Sequence, residues 1–156
     1  KENVLRVRKE FVPYYDIHNA DDSRPYPGIP ELLSYLQDAG IQIAVASNKY
    51  QAATQKLIDH YFPEIHFTAV FGQREGIKVK PDPTVVFDIL EVAKVTKEEV
   101  LYVGDSGVDM QTAHNGGLTA CGVTWGFRSR QSLIDAGADF LSDTADALER
   151  LILGSL

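Results

Sequence analysis

Three short stretches of this chain set hydroxyl, amine and carboxylate groups where they could act on an anion. The first is Ser47-Asn48-Lys49, which follows the apolar residues Ile43, Ala44, Val45 and Ala46 and precedes a helix-period segment. A hydroxyl beside unsatisfied backbone N–H groups at a helix start can grip an oxyanion or phosphate, although a Ser-Asn pair there also serves as a plain helix cap. The second is Lys78-Val79-Lys80-Pro81-Asp82-Pro83, where a lysine stands just before a stiff Pro-x-Pro entry into a helix. The prolines restrict the backbone and so fix where Lys80 points. A lysine held that way neutralises a phosphoryl oxygen or a carboxylate, whereas an ordinary loop lysine is only solvated. The third is Gly104-Asp105-Ser106-Gly107-Val108-Asp109, with two carboxylates four residues apart around a helix start. Mg²⁺ takes oxygen ligands, keeps several waters and bridges to phosphate, so one or two carboxylates suffice for it. The alternative is Asp105 as a simple N-cap with Asp109 in solvent.

Parallel strands are what must position these stretches, because short apolar runs alternate with helix-period segments along the chain. Strands are expected over residues 42–46, 68–71, 100–103, 120–123 and 139–141. Pro30 opens a helix carrying Leu32, Leu33, Leu36 and Ala39, and Gly40 stops it. Asp82 and Pro83 are expected as cap and first-turn residue of a helix carrying Val86, Ile89, Leu90 and Ala93. Further helices are expected over residues 51–61, 108–115, 131–136 and 144–153. In such sheets ligands gather at the carboxyl ends of the strands, where all three stretches fall. The opening differs. Val4, Leu5, Val7, Phe11 and Val12 are spaced as on an amphipathic helix over residues 1–15, and residues 21–28 read as a polar, proline-rich linker.

The charge balance narrows the partners. Lys and Arg number 15 against 22 Asp and Glu, a formal charge of -7, which leaves no footprint for nucleic acid or an anionic membrane. The apolar run at residues 41–46 is far short of the ~20 residues of a bilayer span, and no leader opens the chain, so a cytoplasmic protein is expected. The one cysteine, Cys121, has apolar neighbours and reads as a buried thiol. His18, His60, His66 and His114 lack ligand spacing and read as surface or helix residues. Trp125 and Phe127 suit core packing better than the lining of a cleft. The chain opens on Lys1 and its only methionine is Met110, so further sequence upstream is expected.

Together the three stretches resemble the haloacid dehalogenase (HAD) superfamily, in its phosphoglycolate-phosphatase-like branch. Ser47 matches the superfamily's phosphate-binding hydroxyl, Lys80 its lysine, and Asp105 with Asp109 its acidic metal motif, in the same order. Tyr26-Pro27-Gly28-Ile29-Pro30 looks like the return from the cap, and Asn115-Gly116-Gly117 and Thr124-Trp125-Gly126-Phe127-Arg128 look like later loops of this branch. The resemblance implies an α/β, Rossmann-like core over residues 26–156, with residues 1–25 as the last cap helix and its linker. It also implies a Mg²⁺-dependent hydrolase of small phosphomonoesters, working through an aspartyl-phosphate. Ser47, the backbone of Asn48, and Lys80 would bind the phosphoryl group; Asp105 would hold the metal, with Asp109 behind it or as a further ligand. Alanine at Lys80 or Asp105 is then expected to abolish activity in a complete enzyme and leave the fold largely intact.

One part of the pattern does not occur. The superfamily's nucleophile sits in an Asp-x-Asp-x-Thr/Ser loop, and this sequence contains no Asp-x-Asp; Asp16, Asp21 and Asp22 follow no apolar strand. The chain alone is therefore expected to be inactive and to lack the first, central strand of the sheet. The vacated position would be a slot about 9.6 Å wide, with strand edges that invite a strand from elsewhere or oligomerisation. A non-catalytic phosphate- or metal-binding domain remains the alternative. A receiver-type signalling domain has these groups in the reverse order, and a true dehalogenase has less need of the Asp105 and Asp109 pair. Substrate identity is set largely by the cap, which leaves phosphoglycolate, sugar phosphates and nucleotides open.

Overall fold

The computed structural model describes residues 10–12, 28–125 and 129–153. Its elements are β1 (Glu10–Val12), α1 (Ile29–Asp38), β2 (Gln42–Tyr50), α2 (Gln51–Tyr61), β3 (Ala69–Gln73), α3 (Thr84–Ala93), β4 (Val100–Gly104), α4 (Gly107–Asn115), β5 (Thr119–Val123), α5 (Arg130–Asp135), β6 (Phe140–Ser142) and α6 (Ala145–Leu153). A single 3₁₀ turn, Lys97–Glu99, precedes β4 and is held by a capping box between Thr96 and Glu99. Every strand pairing is parallel, in the order β3-β2-β1-β4-β5-β6.

The alternation of side chains along each strand builds two apolar layers. Ile43 and Val45 of β2, with Leu101 and Val103 of β4, face Leu32, Leu33 and Leu36 of α1 and Leu148 and Ile152 of α6. Their neighbours Ala44 and Ala46, Val100 and Tyr102 face Val86 and Ile89 of α3, Met110 and Ala113 of α4 and Leu133 of α5. Strands buried on both faces read as unbroken apolar runs, and this is why they stand out in the sequence. Burying a side chain such as Leu33 or Leu36 contributes about 2 kcal/mol.

Two expectations are corrected at the amino end. The apolar spacing predicts a helix over residues 1–15, yet Glu10–Val12 is a strand. The central position, expected to be missing, is occupied by it. Glu10 and Phe11 lie level with Gln42 and Ile43 of β2, and Glu10, Phe11 and Val12 with Val100, Leu101 and Tyr102 of β4. Facing strand edges present rows of backbone donors and acceptors whose burial is costly unless paired, and Phe11-Val12 suits a strand as well as a helix. Tertiary pairing thus outweighs a weak helical period. The expected division near residue 25 has one segment before it paired inside the sheet; the rest of the expected cap helix and linker lies outside the described residues.

Cys121 is fully buried in the first apolar layer. Burial pushes its thiol up from 9.0 to about 11, with a smaller opposing effect from the Ser142 hydroxyl. A raised folded-state value means the native protein holds this proton while the unfolded chain releases it between pH 9 and 11. Stability from this group is complete below pH 9 and falls by about 3 kcal/mol as pH approaches 11. Chemical denaturation across that range should show a shallower loss in Cys121→Ala than in the parent.

Candidate functional site

Strand β2 runs on to Tyr50, past its expected end at Ala46, but its register with β3 shifts between Ala46 and Tyr50. Ser47, Asn48 and Lys49 occupy that irregularity, at the carboxyl end of the ladder. Ser47 is buried, and its Oγ accepts from the Lys49 N–H at 3.0 Å. Neither Ser47 nor Asn48 caps the next helix: α2 has Tyr50 at its N-cap and no side-chain cap. Gly72 of β3 lets the segment lie close, since a Cβ there would meet the Lys49 carbonyl at 2.5 Å. Gln51 seats the same turn by accepting from the Gly72 N–H at 2.7 Å and donating to the Val70 carbonyl at 2.8 Å.

Asn48 does something that its sequence position did not announce. Its Oδ1 accepts from the Lys80 N–H at 3.0 Å and its Nδ2 donates to the Lys80 carbonyl at 3.3 Å. Lys80 is not a solvated loop lysine, because its side chain is only 2% exposed. Its Nζ donates to Asp109 Oδ1 at 2.7 Å and approaches the Ala46 carbonyl at 3.5 Å. Pro83, not Asp82, is the N-cap of α3. Asp82 stands one residue earlier and accepts from the Thr84 N–H at 2.9 Å and from its hydroxyl, and the hydroxyl bond above all holds this carboxyl below its usual value.

At the end of β4, Ser106 is the N-cap of α4, accepting from the Asp109 N–H at 3.3 Å. The alternative of Asp105 as cap and Asp109 in solvent therefore does not apply. Asp109 is fully buried. Its Oδ1 is paired with Lys80, and its Oδ2 accepts from the Asp105 N–H at 3.2 Å and from the Ser106 hydroxyl at 2.9 Å. Gly104 makes room for it: a Cβ there would lie 2.2 Å from Asp109 Cβ.

The three stretches are thus joined by hydrogen bonds at one rim of the sheet. Asn48 of β2 holds the Lys80 main chain, Lys80 pairs with Asp109, and Asp109 accepts from the Asp105 backbone. β2 and β4 flank β1, so the cluster draws groups from the ends of the two strands on either side of the central one. Ser106, Gly104 and Asn115 lie within stretches quoted from the sequence, but none of them had an expected role of its own. The spacing of Ser106 to Asp109, a hydroxyl followed three positions later by an acid at a helix start, was the available signal for Ser106. Asn115 depends on a contact with Pro81, 34 positions away, and Gly104 on the close approach of Asp109 from the helix start that follows it.

The residues fit Mg²⁺ in part. Among the described residues no group of three or more His, Cys, Asp or Glu could hold a metal ion. Asp105 offers the hard oxygen that Mg²⁺ takes, and such a cation fills its other positions with water and substrate phosphate. Asp109, with both oxygens already accepting, is better suited to hold Lys80 than to ligate. Elsewhere, Trp125 packs against the first apolar layer, and His60, His66 and His114 are exposed. Phe127 and His18 lie outside the described residues. Among those residues no helix is long and apolar enough to cross a membrane.

Comparison with known proteins points to a single group. The family profile described as haloacid dehalogenase-like hydrolase matches residues 1–123. The chain is 33% identical over 153 residues to a phosphoglycolate phosphatase of Mesorhizobium japonicum, covering 94% of this chain and 66% of that protein. It is 30% identical over 139 residues to a phosphoglycolate phosphatase of Aquifex aeolicus, covering 85% of this chain and 65% of that protein. Among solved structures, a Lactobacillus delbrueckii protein provisionally named phosphoglycolate phosphatase superimposes with a TM-score of 0.81 at 39% identity, over 85% of this chain and 55% of that one. The chain therefore spans somewhat less than two thirds of the length of these relatives.

Proposed function

The chain belongs to the haloacid dehalogenase-like hydrolase family, and on that premise we propose that it is the phosphate- and metal-gripping part of a phosphomonoesterase. What supports this reading is that three separate loops are joined by hydrogen bonds, with Asn48, next to Ser47, holding the Lys80 main chain, Lys80 paired with Asp109, and Asp109 accepting from the Asp105 N–H. In the longer protein the Ser47 hydroxyl and the Asn48 backbone N–H would bind phosphoryl oxygens. Lys80 would offset the charge of the phosphate and of an aspartate nucleophile, with Asp109 holding its ammonium in place. Asp105 would hold Mg²⁺, which supplies charge neutralisation at the phosphoryl oxygens. Hydrolysis would pass through an aspartyl-phosphate, and the substrates would be small phosphorylated metabolites, phosphoglycolate first because the relatives are so named.

This chain alone contains no Asp-x-Asp loop, and a segment of it stands in the central strand position. Those two facts favour the second reading for the isolated chain, an anion grip without turnover. A phosphatase screen separates the possibilities. The protein carrying an upstream Asp-x-Asp-x-Thr segment should release phosphate from phosphoglycolate in Mg²⁺, and Asp105→Asn should cut turnover by at least about 100-fold. The 156-residue chain should bind inorganic phosphate and turn nothing over. Turnover by the longer protein that survives both Asp105→Asn and chelation of Mg²⁺ would sink the proposal.

A further inference from the structure

We propose that Asn48 and Asn115 are positioning residues for Lys80, two carboxamides from distant elements that pin the Lys80-Pro81 main chain and so aim the ammonium. Asn48, in β2, takes both the N–H and the carbonyl of Lys80, at 3.0 and 3.3 Å. Asn115, the last residue of α4, donates from Nδ2 to the Pro81 carbonyl at 2.9 Å. Three bonds from two side chains thus fix two consecutive residues of a loop that has no regular secondary structure to hold it.

The arrangement joins the parts of the site mechanically. α4 carries Asp109 in its first turn and Asn115 at its end, so one helix grips the Lys80 side chain with one residue and the adjoining main chain with another. The end of that helix is itself seated, because Gly116 lies so close to Val86 of α3 that a Cβ would meet Val86 Cγ1 at 2.6 Å. α3 begins just after Pro81-Asp82-Pro83, so the bond from Asn115 sits where the lysine loop enters that helix. A flexible four-carbon side chain can be aimed only if its backbone is fixed, and a carboxamide can serve a main chain as both donor and acceptor.

The functional part of this role rests on the reading of Lys80 as the amine that neutralises phosphate; the pinning itself does not. It can be measured on the chain as it stands by the rate at which acetic anhydride acylates the Lys80 amine, read by mass spectrometry. A maleimide reporting on Cys121, buried in the opposite apolar layer, registers general opening. Asn115→Asp keeps the shape but cannot donate to a carbonyl, and it should raise Lys80 acylation about fivefold, the effect of one lost hydrogen bond. Asn48→Ala loses two bonds and should raise it further, while Asn115→Gln, which still donates, should return the rate toward the parent's. Cys121 should stay protected throughout. Unchanged Lys80 acylation in both Asn115→Asp and Asn48→Ala, or a rise matched by Cys121, overturns the proposal. A second arm adds inorganic phosphate. Protection of Lys80 in the parent that is weakened in Asn115→Asp supports a link from pin to anion, and equal protection in both overturns that link. Absence of protection in the parent counts against the anion pocket itself and leaves the acylation result to decide the pinning.

Discussion

Lys80→Met should destabilise the fold by about 3–5 kcal/mol, because it leaves the Asp109 carboxylate buried without its counter-charge. The pair is 2.7 Å apart with side chains 2% and 0% exposed, so water cannot replace the lost ammonium. The sequence alone suggested that alanine at Lys80 would spare the fold, and burial of the pair reverses that expectation. Asp105 is different. The Lys80 ammonium donates to Asp109 at 2.7 Å, and Asp105→Asn keeps the shape of its own side chain, so that change should leave stability within about 1 kcal/mol of the parent. The double change Lys80→Met with Asp109→Leu removes both charges and should recover a large part of the loss, since the cost lies in the unpaired ion rather than in the missing attraction. Urea denaturation of the four proteins measures all of this. A Lys80→Met variant within about 1 kcal/mol of the parent would show that Asp109 reaches solvent or another cation.

Gly104→Ala is expected to cost about 3 kcal/mol, although it adds one methyl group to a strand. The new Cβ would stand 2.2 Å from Asp109 Cβ and 2.6 Å from Asp109 Oδ2. Neither side can yield easily. Gly104 pairs with Gly122 at the end of β4, and Asp109 is held by Lys80, Ser106 and the Asp105 backbone. Relief must come by moving Asp109 away from Lys80, so stability and phosphate binding should fall together. Gly107→Ala is the comparison: its Cβ would meet only Ala136 Cβ at 3.3 Å, and thermal unfolding should find it much the milder change.

The β-α alternation was legible because strands covered on both faces are apolar throughout, while their covering helices repeat every three to four residues. Helix ends came within a residue or two of their chemical signals, as at Pro30 and Gly40 around α1. The phosphate and acid stretches were legible for a related reason. A site at the carboxyl edge of a parallel sheet is built from loops that directly follow strands, so its residues sit beside recognisable apolar runs.

Residue types, their order, and the absence of an Asp-x-Asp loop are properties of the sequence itself. The tertiary structure decided what each of these groups spends its charge on. Asp109 serves Lys80, Ser106 displaces Asp105 as the cap, and the Asn48 carboxamide turns to a loop 32 positions away. It also decided that Glu10–Val12 pairs as a strand between β2 and β4. These outcomes have one physical cause. Local spacing reports which face a residue presents, but burial obliges every charge and backbone group to find a partner, and the nearest partner in space is seldom near in sequence.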